Sequence, residues 1–230
     1  MSRFTRLIAA VAFALLAPLA ASADEGYYPI KADDGSVIAN HRVPVELESQ
    51  IESLPGVVVV GNPRGEVTVA EFYDVNCPYC RKASADIDAM LRGNPELKLV
   101  LVPFPVLGIP SIQGTRVELA VRRLVPAKKF YEFHRALDST RGMVDGNRAL
   151  AVAKATGLDT GKLLEIANED SLGDVMKAHV HLGDALEITA TPGFVIKGVA
   201  FVGYPGPKAL AGIIDAVQRC DAVICDDGKR

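Results

Sequence analysis

The chain is 230 residues long, 49% hydrophobic and 23% charged, with 25 basic against 28 acidic residues and a net charge of −3. That balance argues against nucleic acid or an anionic membrane as a partner, since both select for an excess of basic surface. A chain of this length can bury its own core, so its four cysteines are not needed as the framework of a small disulfide scaffold.

Arg3 and Arg6, the apolar residues 7–20 and the small-residue site Ala21-Ser22-Ala23 have the order of a secretory signal peptide, residues 1–23, cut after Ala23. A membrane anchor fits less well, because fourteen apolar residues interrupted by Pro18 fall short of the ~20 that span a bilayer. No later segment is long and apolar enough to span, so the mature protein is expected to be soluble and exported. Cleavage leaves 23 basic and 28 acidic residues, a net charge of −5, in about 207 residues, the size of one large domain. Export places Cys77, Cys80, Cys220 and Cys225 where disulfides form and persist.

Residues 24–56 form an N-terminal extension. Within it YYPIKADDGSVIAN predicts two short strands around Asp34-Gly35, a favoured turn pair. Leu47, Ile51 and Leu54 then recur at helical spacing until Pro55-Gly56 ends the helix. The extension is read either as an arm for a partner or a second copy, or as a segment packed on the main domain. GEVTVAEFYD follows as a strand, with Val67, Val69, Glu71 and Tyr73 on one face and Ala70 and Phe72 on the other. A helix over residues 77–91 starts with Pro78 at its first position and stops at Gly93-Asn94-Pro95. KLVLVPF is then a buried strand, parallel to the first if the helix is a crossover.

Residues 110–188 are helical in pattern, with segments at 115–125, 127–137, 145–155, 160–167 and 171–186. GFVIKGVAFVGYPG predicts a hairpin turning near Lys197-Gly198, and residues 207–220 a closing helix before a tail, 221–230. The fold class is therefore α/β, its sheet-forming unit split into 57–109 and 189–220 by an all-helical insertion at 110–188.

The CPYC of residues 77–80 thus lies at a strand's carboxyl end and a helix's amino end. A structural zinc site needs a second ligand pair, but Cys220 and Cys225 are more widely spaced, and His179 and His181 face different directions on a helix. A permanent staple closing so small a ring removes little unfolded-chain entropy. Redox exchange needs a thiolate, and a cysteine at a helix N-cap titrates at ~3.5–7.5 rather than ~8.5. On that reading Cys77 is the nucleophile, Cys80 one turn deeper is the resolving thiol, and Pro78 and Tyr79 tune the potential. Glu71, a carboxylate in an apolar strand, is either a partly exposed edge residue or a buried acid that exchanges a proton with Cys80. Cys220 and Cys225 in CDAVIC, an even pair in an exported chain, are expected to form a local structural disulfide, the alternatives being a second redox pair or free thiols.

A strand ending in CPYC, a helical insert, and TATPGFVI before a terminal hairpin and helix resemble the thioredoxin-fold disulfide oxidoreductases of the DsbA type, over residues 57–218. The resemblance implies a thioredoxin fold, a central mixed sheet flanked by helices, with catalytic Cys77, Cys80 and Glu71. It places the family's cis-proline at Pro192, with Thr191, Pro192, Pro78 and Tyr79 meeting an extended substrate. It implies no cofactor and no metal, client proteins bearing thiols or disulfides, and a membrane redox partner in the periplasm of a Gram-negative bacterium. Two departures matter. Tyr79 stands where the best-known DsbA proteins have histidine. Thr191 and GNPRGEVTVAEF look more like disulfide isomerases and the exported copper-tolerance-linked branch, whose N-terminal extensions often build homo-oligomers. Oxidase, isomerase and reductase directions stay open, beside two rivals, Cu(I) handling through soft thiolates and a non-catalytic chaperone.

Overall fold

The protein, described from a computed structural model, is defined over residues 28–226, so the expected signal peptide lies outside the described residues. Six strands form one mixed sheet in the order β1-β6-β5-β3-β4-β2. They are β1 (Asn40–Arg42), β2 (Val58–Gly61), β3 (Val67–Tyr73), β4 (Leu97–Pro103), β5 (Gly193–Ile196) and β6 (Val199–Val202). Only β3 and β4 are parallel, in register from Val67 opposite Leu97 to Tyr73 opposite Pro103. The crossover between them is α2 (Pro78–Gly93), and α3 (Ile109–Leu124), α4 (Ala127–Asp138), α5 (Gly146–Ala155), α6 (Thr160–Ala167) and α7 (Ser171–Ala185) make up the insert. With α1 (Val45–Glu48) before β2 and α8 (Pro207–Cys220) after β6, the order is that of a thioredoxin fold carrying a helical insertion.

Alternation along β3 divides the core in two. Val67, Val69 and Tyr73 pack with Ala83 and Ile87 of α2, Phe130 and Phe133 of α4, and Ile213 and Val217 of α8. Ala70 and Phe72 pack with Ile51, Leu182 and Leu186 on the opposite face. With both faces covered, β3 and β4 are buried almost throughout, as their near-continuous apolar sequences require.

The N-terminal extension differs most from expectation. Its first hairpin reduces to a single bridge, Lys31 to Val37, around a turn in which Asp34 accepts from the Ser36 backbone and hydroxyl. The chain then adds β1 to the sheet edge, Asn40 opposite Phe201. The continuous helix expected through Leu47, Ile51 and Leu54 is instead the four-residue α1 and a 3-10 turn, Ile51–Ser53. Helices this short gain little from their own hydrogen bonds, so packing of Leu47, Ile51 and Leu54 on the sheet decides the local geometry. Residues 28–56 do not stand off as an arm. Asp33 accepts from the Lys208 and Ala209 amides at 3.1 and 2.7 Å, neutralising the amino end of α8. Gly206, at φ +99°, lets the chain enter α8 against that carboxylate, where a Cβ would collide with it. Glu48 accepts from the Gly198 amide at 2.8 Å, tying α1 to the β5–β6 turn.

Elsewhere, β2 is an additional strand, antiparallel to β4, and α3 begins at Ile109 rather than at residue 115. Cys220 and Cys225 are joined by a disulfide at the end of α8.

Candidate active site

Strand β3 sits between β4 and β5, and the residues following it turn directly into α2. Cys77 is the N-cap of that helix, extended at φ −75° and ψ 118°, with Pro78 in the first turn where a missing N–H costs nothing. The approach is fixed by side chains from the loop and the insert. Asp74, fully buried, accepts from the Asn76 amide at 2.8 Å, the Leu107 amide at 2.9 Å and the Ser111 hydroxyl at 2.7 Å. Asn76 donates to the Val144 carbonyl at 2.9 Å and accepts from the Val144 amide at 2.7 Å. The Arg81 guanidinium reaches back to the Val75 carbonyl and outward to those of Thr140 and Gly142. The loop that presents Cys77 is thereby bound to the helical insert at α3 and at the α4–α5 connection.

Across from Cys77, the Thr191-Pro192 peptide is cis, and the Cys77 thiol lies 3.2 Å from the Thr191 carbonyl oxygen. Both Cys77 and Cys80 are free thiols. Cys77 is held down to about 6, first by the hydrogen bond from the Cys80 thiol, then by the Thr191 side chain and the Cys80 and Tyr79 amides, which together outweigh partial burial. Cys80 moves the opposite way, well above the usual thiol range, because it is buried, gives its hydrogen bond to Cys77 and faces the negative charge of Glu71 and Cys77. One sulfur is a ready nucleophile and its partner a protected thiol.

At pH 7 a thiol with a midpoint near 6 is roughly 90% thiolate. Alkylation of Cys77 by iodoacetamide is therefore expected to rise with a midpoint near pH 6, and a midpoint above pH 8 would contradict this geometry. Because the folded value lies below the unfolded one, the thiolate stabilises the reduced protein fully above the unfolded value, and that stabilisation is lost as pH falls through about 6.

Glu71 pairs with Leu101 on one side and Phe194 on the other, and at 2% exposure it is not the edge residue of the alternative reading. Burial raises it to about 8, opposed by His134 and reinforced by Asp138 and Cys77, so it is a neutral acid at pH 7. Below it is a buried polar cluster that the sequence did not single out. Tyr73 donates to Glu118 Oε2 at 3.2 Å, His134 Nδ1 lies 2.9 Å from Glu118 Oε1, and His134 Nε2 lies 3.3 Å from Asp138 Oδ2. Burial works against charge on His134, but Asp138, Glu118 and Glu71 outweigh it and raise the ring to about 9. The available signal was a histidine and an aspartate four residues apart on the otherwise apolar face of α4.

The rim around Cys77 is apolar and open. Tyr79 is 63% exposed beside exposed Pro78, and Ile109 and Met143 reach 71% and 66%. Asn76, Leu107, Pro110, Gly142 and Met143 line an adjacent cavity of about 260 Å³. No group of three or more histidine, cysteine, aspartate or glutamate side chains is placed to hold a metal among the described residues.

The thioredoxin family profile matches residues 53–216. A thioredoxin-like oxidoreductase from Silicibacter pomeroyi DSS-3 is 33% identical, covering 75% of this chain and 96% of its own, with a TM-score of 0.64. The thiol-disulfide exchange protein alpha-DsbA2 from Wolbachia pipientis, 22% identical over 75% of this chain and 94% of its own, has the same fold at a TM-score of 0.67. So does the catalytic domain of Proteus mirabilis ScsC, 23% identical over 74% and 94%, at 0.65. No curated protein matches the chain.

Proposed function

The chain belongs to the thioredoxin family, and from that premise we propose that it is an exported thiol–disulfide oxidoreductase that acts on client cysteines through Cys77 and Cys80. The observation that carries this reading is the asymmetry of the pair, a thiolate-prone Cys77 at a helix start facing the cis Thr191-Pro192 peptide and a buried, proton-retaining Cys80 behind it.

In the oxidised protein a client thiolate attacks the Cys77 sulfur, forming a mixed disulfide and expelling Cys80 as a thiolate, which takes a proton from neutral Glu71. A second client thiolate attacks the client sulfur of that bond, and Cys77 leaves as a thiolate. Two electrons have passed from client to CPYC, and the client holds a new disulfide. Stabilising the Cys77 thiolate favours the reduced pair, which supports client oxidation as the preferred direction. A membrane redox partner that withdraws the two electrons completes the cycle. From the reduced form, Cys77 attacking a client disulfide gives isomerisation with the same groups.

The open apolar rim of Tyr79, Leu107, Ile109 and Met143 suits clients that are not yet folded, whose cysteines come with exposed apolar neighbours. Residues 1–23 support export to the periplasm, and no helix among the described residues is long and apolar enough to cross a membrane. The test is refolding of a reduced and of a scrambled disulfide protein, each run with oxidised and with reduced protein. The oxidised form is expected to introduce disulfides in stoichiometric amounts and the reduced form to reshuffle wrong ones. A client left unchanged by both forms sinks the proposal.

A further inference from the structure

We propose that His134 is a positioning residue for this exchange: clamped between Glu118 and Asp138 and against Tyr73, it keeps a fixed positive charge on the Glu71 face of β3 that sets when Glu71 releases its proton. The inference rests on the function proposed above but assigns a role to the helical insert, which supplies Glu118 from α3 and both His134 and Asp138 from α4.

The geometry argues for an imidazolium independently of any titration. His134 Nδ1 is hydrogen-bonded to Glu118 Oε1 at 2.9 Å, and Nε2 lies at ion-pair distance, 3.3 Å, from Asp138 Oδ2, which makes no hydrogen bond. A ring with a carboxyl group at ion-pair distance from each nitrogen is favoured in its doubly protonated form. Glu118 Oε2 also accepts from Tyr73, so this one carboxyl group joins β3 to α4. The Tyr73 ring meets the His134 ring edge-on at 4.7 Å, and Tyr73 shares the face of β3 with Glu71. The groups facing this site are Glu71 and Tyr73 from β3, Glu118 from α3, Tyr131 and Asp138 from α4, and, beside Glu71, the N-cap Cys77 and Cys80 of α2. Three carboxyl groups share this interior, and His134 supplies the opposing charge.

During opening of the CPYC disulfide, one proton moves from Glu71 to the Cys80 sulfur, and the Glu71 carboxylate left behind is stabilised by His134. During resolution of a mixed disulfide the proton returns: Cys80 gives it to Glu71, attacks Cys77 and expels the client or glutathione thiolate. Without the imidazolium, Glu71 holds its proton to higher pH in both directions.

The experiment uses the mature protein carrying glutathione on Cys77 and follows glutathione release from pH 5 to 10 by acid quench and mass spectrometry. His134→Gln is expected to move the release midpoint upward by about one pH unit or more, slowing release at pH 7 about tenfold. Glu71→Gln should abolish the midpoint, and His134→Gln should then add no further change. An unmoved midpoint in His134→Gln, or an additional effect in the double variant, overturns the inference while leaving the oxidoreductase reading intact. If the variants do not fold, ring ¹⁵N shifts of the native protein decide: a doubly protonated His134 at pH 7 is expected, and a singly protonated ring refutes it. Loss of glutathione exchange by the native protein would instead refute the function, and the ¹⁵N measurement would still stand on its own.

Discussion

Cys80→Ser is expected to turn the protein from a catalyst into a trap, accumulating mixed disulfides between Cys77 and its clients that survive non-reducing electrophoresis. In the native protein Cys80 sits one turn below Cys77 and hydrogen-bonds it, so its attack on a mixed disulfide is intramolecular. Well-oriented intramolecular reactions have effective molarities of about 10⁵–10⁸ M, so even a far less ideal geometry, once lost, lengthens the adduct's lifetime on the order of a thousandfold or more against millimolar external thiol. Serine retains a hydroxyl that can still hydrogen-bond the Cys77 thiolate, so the attacking group stays active while the resolving one is gone. Cys77→Ser should form no adducts and lose client oxidation on the order of a thousandfold or more, as for removal of a covalent nucleophile. A non-catalytic chaperone predicts the reverse, with client handling intact in Cys77→Ser. Adducts forming through Cys80 in that variant would exchange the two roles assigned here.

Much of this site is legible in the sequence because its parts are local. Proline directly after Cys77 fixes the helix start, the alternation of VTVAEFY fixes which face Glu71 shares with Val69 and Tyr73, and the ten residues between Gly93 and Phe104 suffice to read the parallel return strand. The cluster beneath the site is not local. Glu118 and His134 read as ordinary polar positions on two amphipathic helices until α3 and α4 pack onto β3 and bring them to Tyr73. Strand β1 is hidden for the same reason. Asn40, His41 and Arg42 have no strand-like composition and become a strand only because β6 offers an unpaired edge. The split of the Leu47–Ile51–Leu54 segment shows the converse, where correct helical spacing is overridden by a segment too short to hold one helix.

Asp74 is another residue whose meaning lies across the fold, and its replacement is expected to give the largest loss of stability. Its carboxylate receives the Asn76 amide just before Cys77, and the Leu107 amide and Ser111 hydroxyl at the entrance to the insert. Asp74→Ala leaves these three buried or half-buried donors without their acceptor. With each hydrogen bond to a charged group contributing about 1.5–3 kcal/mol and only partial additivity, a loss of about 3–5 kcal/mol follows. That is a large part of the ~5–15 kcal/mol by which domains are stable. Asp74→Asn keeps one carbonyl oxygen but turns an NH₂ toward either the Leu107 amide or the Ser111–Asn76 pair, and about half the loss is expected. Denaturant midpoints of the reduced proteins measure both, and an Asp74→Ala variant within about 0.5 kcal/mol of the native protein would show that these bonds are not made. The same carboxylate joins the loop that aims Cys77 to the first turn of α3, so the two effects should travel together. Asp74→Asn, still folded, should lose the sharp alkylation midpoint of Cys77 near pH 6, because the helix start that stabilises the thiolate is no longer held against the insert.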